Sequence, residues 1–424
     1  MGNGDEKKRR TEGGRRSSGK ETCGDTGLGA WVGAGWFMIF GAAMGDSSAQ
    51  RDLPGRGRRR WRRGVAAAVA LACGAAGAGL PGGCSRDARS AERTEEEHAA
   101  AAKLPGAVAI GSPGTTPGRF YTPRCIDNDG EYLWVIDRSA RVQRLDPVSG
   151  HCVQWFKMPE SELGKPTGLT IAPSPRGHGE RALYIADTHY HRVMIYALPA
   201  APAGGTSAQN EYLYPVDPIA PELIVELGKY GNAAGEFVYP CCVAVVPRID
   251  GAGVERLYVS EFGGNDRVQI FDGDMKPVSA FGTLGAGDRD DILQFNRPQC
   301  VVIDAARQEL VIADSINQRV GRFTMEGKPL GWIGAATQVG TGPGEFRHPR
   351  GLTLLKDGTV LVVEFGNNRV QRIDPRSGKS LGMWGEAGTR LGEFAEPWAM
   401  TILKDRAYVV EAKTNRVTGF DVQW

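Results

Sequence analysis

Pro349-Arg-Gly-Leu-Thr-Leu-Leu355, Lys356-Asp-Gly-Thr359, Val360-Leu-Val-Val-Glu364, Phe365-Gly-Asn-Asn368, Arg369-Val-Gln-Arg-Ile373 is the stretch that decides the fold. Three short apolar runs rich in β-formers are separated by turn residues, and Asp357-Gly358 is a strong hairpin signal. Asp374 to Lys379 turns again, and Ser380-Leu-Gly-Met-Trp384 reads as a fourth strand. The pattern predicts one four-stranded antiparallel sheet in roughly 45 residues.

The same phrase occurs six times. An apolar strand ends on an acid, and four to six residues later comes Arg-Val: Asp137 and Arg141, Asp187 and Arg192, Glu261 and Arg267, Asp314 and Arg319, Glu364 and Arg369, Glu411 and Arg416. Ahead of each acid by 14 to 21 residues stands a proline: Pro123, Pro166, Pro240, Pro298, Pro349 and Pro397. Their separations of 43, 74, 58, 51 and 48 residues describe one repeat with insertions. Small sheets recurring at this period predict an all-β, six-bladed propeller of four-stranded antiparallel blades. The last repeat stops after its third strand. Gly106 to Gly111 reads as an orphan fourth strand, so pairing the two ends would complete blade six and remove exposed edges. Gly-Glu-Phe recurs at 235–237, 344–346 and 392–394, with Gly118-Arg-Phe120 ahead of the first repeat, marking crossovers between blades.

These phrases resemble the NHL-repeat family of six-bladed propellers over about residues 105–424. The resemblance implies a propeller scaffold and admits several functions, since the family includes bacterial extracytoplasmic proteins, peptide-amidating lyases and the C-terminal domains of some ring-finger ubiquitin ligases. No Cys/His array with ring spacing is present in the sequence, which leaves the ligase reading unsupported. The lyases of this family bind zinc through channel histidines beside the inner-strand prolines. The six residues after those prolines are here Arg124, Thr167, Cys241, Gln299, Arg350 and Trp398, with no histidine. Lactonase-like propellers hold calcium with Glu, Asn and Asp, and no such set can be placed from this sequence.

Residues 1–84 form a different region. Residues 1–64 hold 14 Lys/Arg against 7 Asp/Glu, and the remainder carries a balance of about −5, so a basic leader precedes a mildly acidic body. A basic run at 56–63, 16 small apolar residues from Val65 to Leu80, and Pro81-Gly-Gly-Cys84 read as a secretory signal followed by a lipidation cysteine, Cys84. Leu80 sits one place too far from Cys84 for the usual lipoprotein box, the arginine pairs also fit twin-arginine export, and Met44 opens a more ordinary leader than Met1. The rival reading makes Leu28 to Met44 a membrane segment. Residues 85–105 read as a solvated tether, and 106–424 as the propeller. The expected location is extracytoplasmic, at a bacterial envelope, either lipid-anchored or periplasmic or secreted.

Candidate sites are sought where the repeats disagree. Two arginines, neutral polar groups and an indole around one mouth suit an anionic or sugar-like ligand. The structural alternative is that Arg124 and Arg350 pair with neighbouring acids. Cys125, Cys242 and Cys300 share one Pro-x-Cys position, filled elsewhere by Gly168, Gly351 and Ala399; small-residue packing and a thiolate metal cluster are both open readings. His189, His191 and His348 are the remaining metal candidates. The six acid–arginine pairs read as structural braces. Long insertions at Pro173–Arg181, Pro199–Pro221 and Pro247–Arg256 should cluster on the opposite rim.

The expected function is a ligand- or protein-binding scaffold, its partner an unknown protein or an anionic small molecule or glycan, acting as a monomer. The alternative is a metal-dependent lyase or hydrolase with its site at the channel mouth. No cofactor is expected, with calcium or zinc left open for that alternative. The acidic body and the absence of phosphate-loop or nucleophile-elbow motifs argue against nucleic acid.

Overall fold

The computed structural model describes residues 104–202, 217–286 and 292–422. Six four-stranded antiparallel sheets follow one another around a ring. Blade one runs Pro123–Asn128, Leu133–Asp137, Arg141–Leu145 and Cys152–Lys157 from the inside outward. Blade two has inner strand Gly168–Pro173, blade three Tyr239–Pro247, blade four Pro298–Asp304, blade five Pro349–Leu354 and blade six Pro397–Leu403. Each inner strand touches the inner strands of both neighbouring blades, and the first touches the last.

Closure follows the sequence expectation. Val108–Ile110 pairs antiparallel with Arg416–Asp421, matching Val108 to Gly419 and Ile110 to Val417. Leu104 is buried against Leu361, Val363 and Phe420, and the Asp421 amide donates to the Pro105 carbonyl at 2.8 Å. Ordered contacts with the propeller therefore begin within the segment read as tether. The leader readings, Cys84 included, lie outside the described residues.

Second strands such as Leu133–Asp137 and Val360–Glu364 are buried at every position, because neighbouring blades cover both of their faces. This explains their continuous apolar runs, with the terminal acid as the single polar break. Five crossovers carry a fully buried phenylalanine: Phe120, Phe237, Phe295, Phe346 and Phe394. Phe295 belongs to this set although its crossover lacks Gly-Glu-Phe. Burying each ring contributes on the order of 2–3 kcal/mol.

The repeated acids are what these crossovers bind. Glu364 is fully buried and accepts from Arg369 Nε (2.6 Å), Gln371 Nε2 (2.6 Å), Asn367 Nδ2 (2.6 Å) and the Arg347 amide (3.1 Å). Arg369 then donates to the carbonyls of Thr341, Gly342 and Glu345. In five blades the acid accepts the amide that follows the crossover phenylalanine: Tyr121, Val238, Asn296, Arg347 and Ala395. Each such pair ties a blade's second and third strands to the crossover that enters it. Blade two departs from this. Its crossover has no such phenylalanine, and Arg192 pairs instead with Asp187, Glu160 and Glu226.

A second device repeats in three blades. Gln143, Gln269 and Gln371 each follow Arg-Val; their amide groups donate to a crossover carbonyl and accept from Gly118, Gly235 and Gly344. On the opposite rim, loops 174–180 and 248–253 touch, since a Cβ added at Gly177 would lie 2.6 Å from the Ala252 carbonyl. Arg176 pairs with Glu222 at 2.5 Å beside them. The insertions of blades two and three thus share one rim as expected, while residues 203–216 lie outside the described set.

Candidate functional site

All six residues that follow the inner-strand prolines line one cavity of about 310 Å³ in the central channel. The local cause is a defect in the ladder. Proline has no amide to donate, and five inner strands show a register shift just after it: Pro123/Cys125, Pro240/Cys242, Pro298/Cys300, Pro349/Leu352 and Pro397/Ala399. The residue in the bulge is released from strand pairing and re-aimed, a common device beside binding sites. Arg124, Cys241, Gln299, Arg350 and Trp398 occupy those bulges. Blade two begins its strand at Gly168 without one, and Thr167 instead shares a 2.7 Å hydrogen bond with Thr188.

The structure brings three of the six together. The Arg124 guanidinium lies 3.8 Å from the Trp398 ring centroid and the Arg350 guanidinium 3.6 Å from it. Blades one and five flank blade six, so each neighbour sends a cation onto the same indole. Arg350 also lies 3.8 Å from the Phe365 ring, which meets Trp398 edge-on. Cation–π contact at a desolvated site contributes up to about 2 kcal/mol and offsets part of the burial of these charges.

Neither arginine is neutralised in the way a structural arginine would be. Arg350 is 7% exposed, and its Nε and Nη1 have no hydrogen-bond partner; the same holds for Arg124 Nε. Burial first, then Arg297 and Arg124, push the Arg350 guanidinium well below the ordinary arginine range, with Glu396 acting in the opposite sense. Burial and Arg138 bring Arg124 down to about 10. The braces in the same fold show the contrast, because every brace arginine contacts a carboxylate.

The residues just before the prolines were missed in the sequence, His348 excepted. Thr122, Lys165, Arg297, His348 and Glu396 all have positive φ, between 51° and 73°. Among them Lys165 and Arg297 add positive charge near the mouth, and Glu396 is the acid acting on both Arg124 and Arg350. No local signal marks them, since the residue before a proline is ordinarily extended with negative φ. Burial and neighbouring Arg350, Arg347 and Arg297 lower the His348 pKa.

The remaining candidates do not join the arginine–indole cluster. Cys241 is buried and its thiol donates to the Pro298 carbonyl at 3.2 Å. His191 Nδ1 contacts the Val238 carbonyl, and its ring packs on Tyr230 and Tyr239. His189 packs on Tyr239 and is driven down to about pKa 4, chiefly by burial. Asp187, their conceivable third ligand, is held by Arg192 at 3.0 Å. Among the described residues no three His, Cys, Asp or Glu side chains converge to hold a metal ion. No helix among them is long and apolar enough to cross a membrane.

Residues 346–373, covering the end of a crossover and the first three strands of blade five, match the family model of the NHL repeat. A 110-residue stretch is 34% identical to NHL repeat-containing protein 3 of Mus musculus, and the Homo sapiens protein of that name matches equally. These alignments take in 25% of this chain and 31% of each relative, so the chain spans about a third of the length of the curated relatives it matches. A structural genomics protein of unknown function from Bacteroides thetaiotaomicron VPI-5482 superposes with a TM-score of 0.50 at 17% identity, over 75% of this chain and 76% of its own. That likeness is one of fold.

Proposed function

We propose that this propeller is a binding module whose channel mouth takes a carboxylate-bearing ligand, a sugar acid or a peptide C-terminus. One observation carries the reading: two guanidiniums on a shared indole, both with buried N–H groups that lack partners. A guanidinium fork matches a carboxylate bidentately, and the Trp398 indole holds both forks at the cavity wall. The cavity of about 310 Å³ suits a ligand of one or two residues. The leader extends the proposal: a signal segment and Cys84 would place this mouth outside the cytoplasm on a lipid tether.

The test is titration calorimetry with uronic-acid oligosaccharides and short peptides, each against its amidated or neutral counterpart. Losing one arginine should weaken binding by about ten- to hundredfold, the worth of a charge-assisted contact. Arg124→Ala is the first variant, and Arg350→Met keeps the bulk of the buried position. A carboxylate ligand bound equally well by both variants and by wild type would move the site elsewhere.

A further inference from the structure

Cys242 and Cys300 lie on the inner strands of neighbouring blades three and four, at the same step after the bulge. Their sulfurs are 3.9 Å apart, and both residues line the channel cavity. The register forces this closeness. At the same level, a Cβ added to Gly168 would lie 2.5 Å from the Cys241 carbonyl, and one added to Gly351 would lie 2.8 Å from Ala399 Cα. Inner strands therefore approach backbone to backbone at this level, and two cysteines on adjacent strands must meet.

The two thiols are not equivalent. The Val301 amide donates to Cys242 Sγ at 3.3 Å, and the two thiols are in contact with each other. The Cys300 hydrogen bond lowers the Cys242 pKa, and that same contact raises Cys300 well above the ordinary thiol range. Cys242 is thus the better nucleophile and Cys300 its nearest resolving thiol. Cys125, at the same position in blade one, has Gly168 rather than cysteine in the adjacent blade, and its thiol donates to the Leu169 carbonyl at 3.6 Å.

We propose that Cys242 and Cys300 form a reversible disulfide between blades three and four on the channel wall, made by exchange with a small-molecule disulfide. Cys242 thiolate attacks one sulfur of that disulfide, the S–S bond breaks, and one thiolate leaves. Cys300 gives its proton to the departing thiolate and attacks the Cys242 sulfur, releasing the second thiolate, which takes up the proton that Cys242 had lost to water. The two protein thiols are oxidised by two electrons, and the small disulfide is reduced to two thiols. The sulfurs need to close from 3.9 Å to about 2.0 Å.

The full-length chain, reduced and then equilibrated with excess oxidised glutathione, is quenched with N-ethylmaleimide, digested and read by mass spectrometry. The expected product is a peptide linking Cys242 to Cys300, with two hydrogens lost, restored to free thiols by dithiothreitol. Cys241 shares a peptide with Cys242, so Cys241→Ser should still form the link. Cys242→Ser should not, and should leave Cys300 unlinked to any other cysteine of the chain. Cys242 and Cys300 both remaining alkylatable, each ending as a separate glutathione adduct, or linkage persisting in Cys242→Ser would overturn the proposal.

Discussion

Glu364 shows how much a single repeated residue carries. Four donors surround a fully buried carboxylate, and removing it would leave the Arg369 guanidinium and the Gln371 amide without their shared acceptor. Glu364→Ala should cost about 3–5 kcal/mol, the range for breaking a buried pair from one side. Glu386→Ala, on an exposed residue, should stay within about 0.5 kcal/mol in the same urea titration. Asp127 tests a different balance. It lines the channel, accepts from the Ile171 and Asn128 amides, and burial raises its pKa to about 6. The unfolded value is near 3.9. A carboxyl raised on folding binds more protons in the native state between those values. Its contribution is therefore fully present below about pH 4 and lost as pH rises through about 6. Relative to Asp127→Asn, wild type should lose about 2–3 kcal/mol of stability between pH 4 and pH 7. Parallel stability–pH curves for the two proteins would refute it.

At the scale of elements, the three-residue strand Val108–Ile110 finishes a sheet whose other three strands come from the far end of the chain. The crossover after it supplies the Gly114, Thr116 and Arg119 carbonyls that Arg141 binds. Deleting residues 85–103 should leave the melting temperature nearly unchanged. Deleting 85–118 should expose the Arg416–Asp421 edge, strip the Arg141 brace, and lower melting by on the order of 10 °C with aggregation. Equal melting of the two truncations would mean that the ends do not close the ring. The strands of this design were legible because each obeys a local rule: apolar runs, Asp-Gly and Asn turns, a terminal acid. The crossover partners of those acids were not legible, since they lie 16 to 23 residues away and depend on a hydrogen bond to a main-chain amide that any residue type can supply. The same reason hid the bulge. Proline announces a missing donor, while the re-aimed side chain behind it, and the positive φ ahead of it, emerge only when the ladder is built.

Across the whole molecule, a body with a balance of about −5 surrounds a mouth where Arg124, Arg297, Arg350 and Lys165 gather. The repeats alone put the two arginines and Trp398 at equivalent positions around one opening, while their meeting on a single ring depends on the closure of blade six. A small anion approaching this face is attracted locally although the net field is weakly repulsive, so affinity should depend on salt. Screening at 0.15 M acts over about 8 Å, and the mouth charges lie partly buried, where screening is weaker. For a carboxylate ligand, affinity should therefore fall only a fewfold between low and physiological salt, and the loss should be in the association rate. The leader bears on where such a ligand is met. The proposed lipid anchor is Cys84, which follows the apolar run Val65 to Leu80 and two glycines. In a bacterial host that processes lipoproteins, wild type should fractionate with membranes, and Cys84→Ala should appear in the soluble extracytoplasmic fraction. If Cys84→Ala stays with the membranes, an uncleaved apolar segment holds the chain there, and if wild type is found in the cytoplasm, the mouth serves a ligand inside the cell.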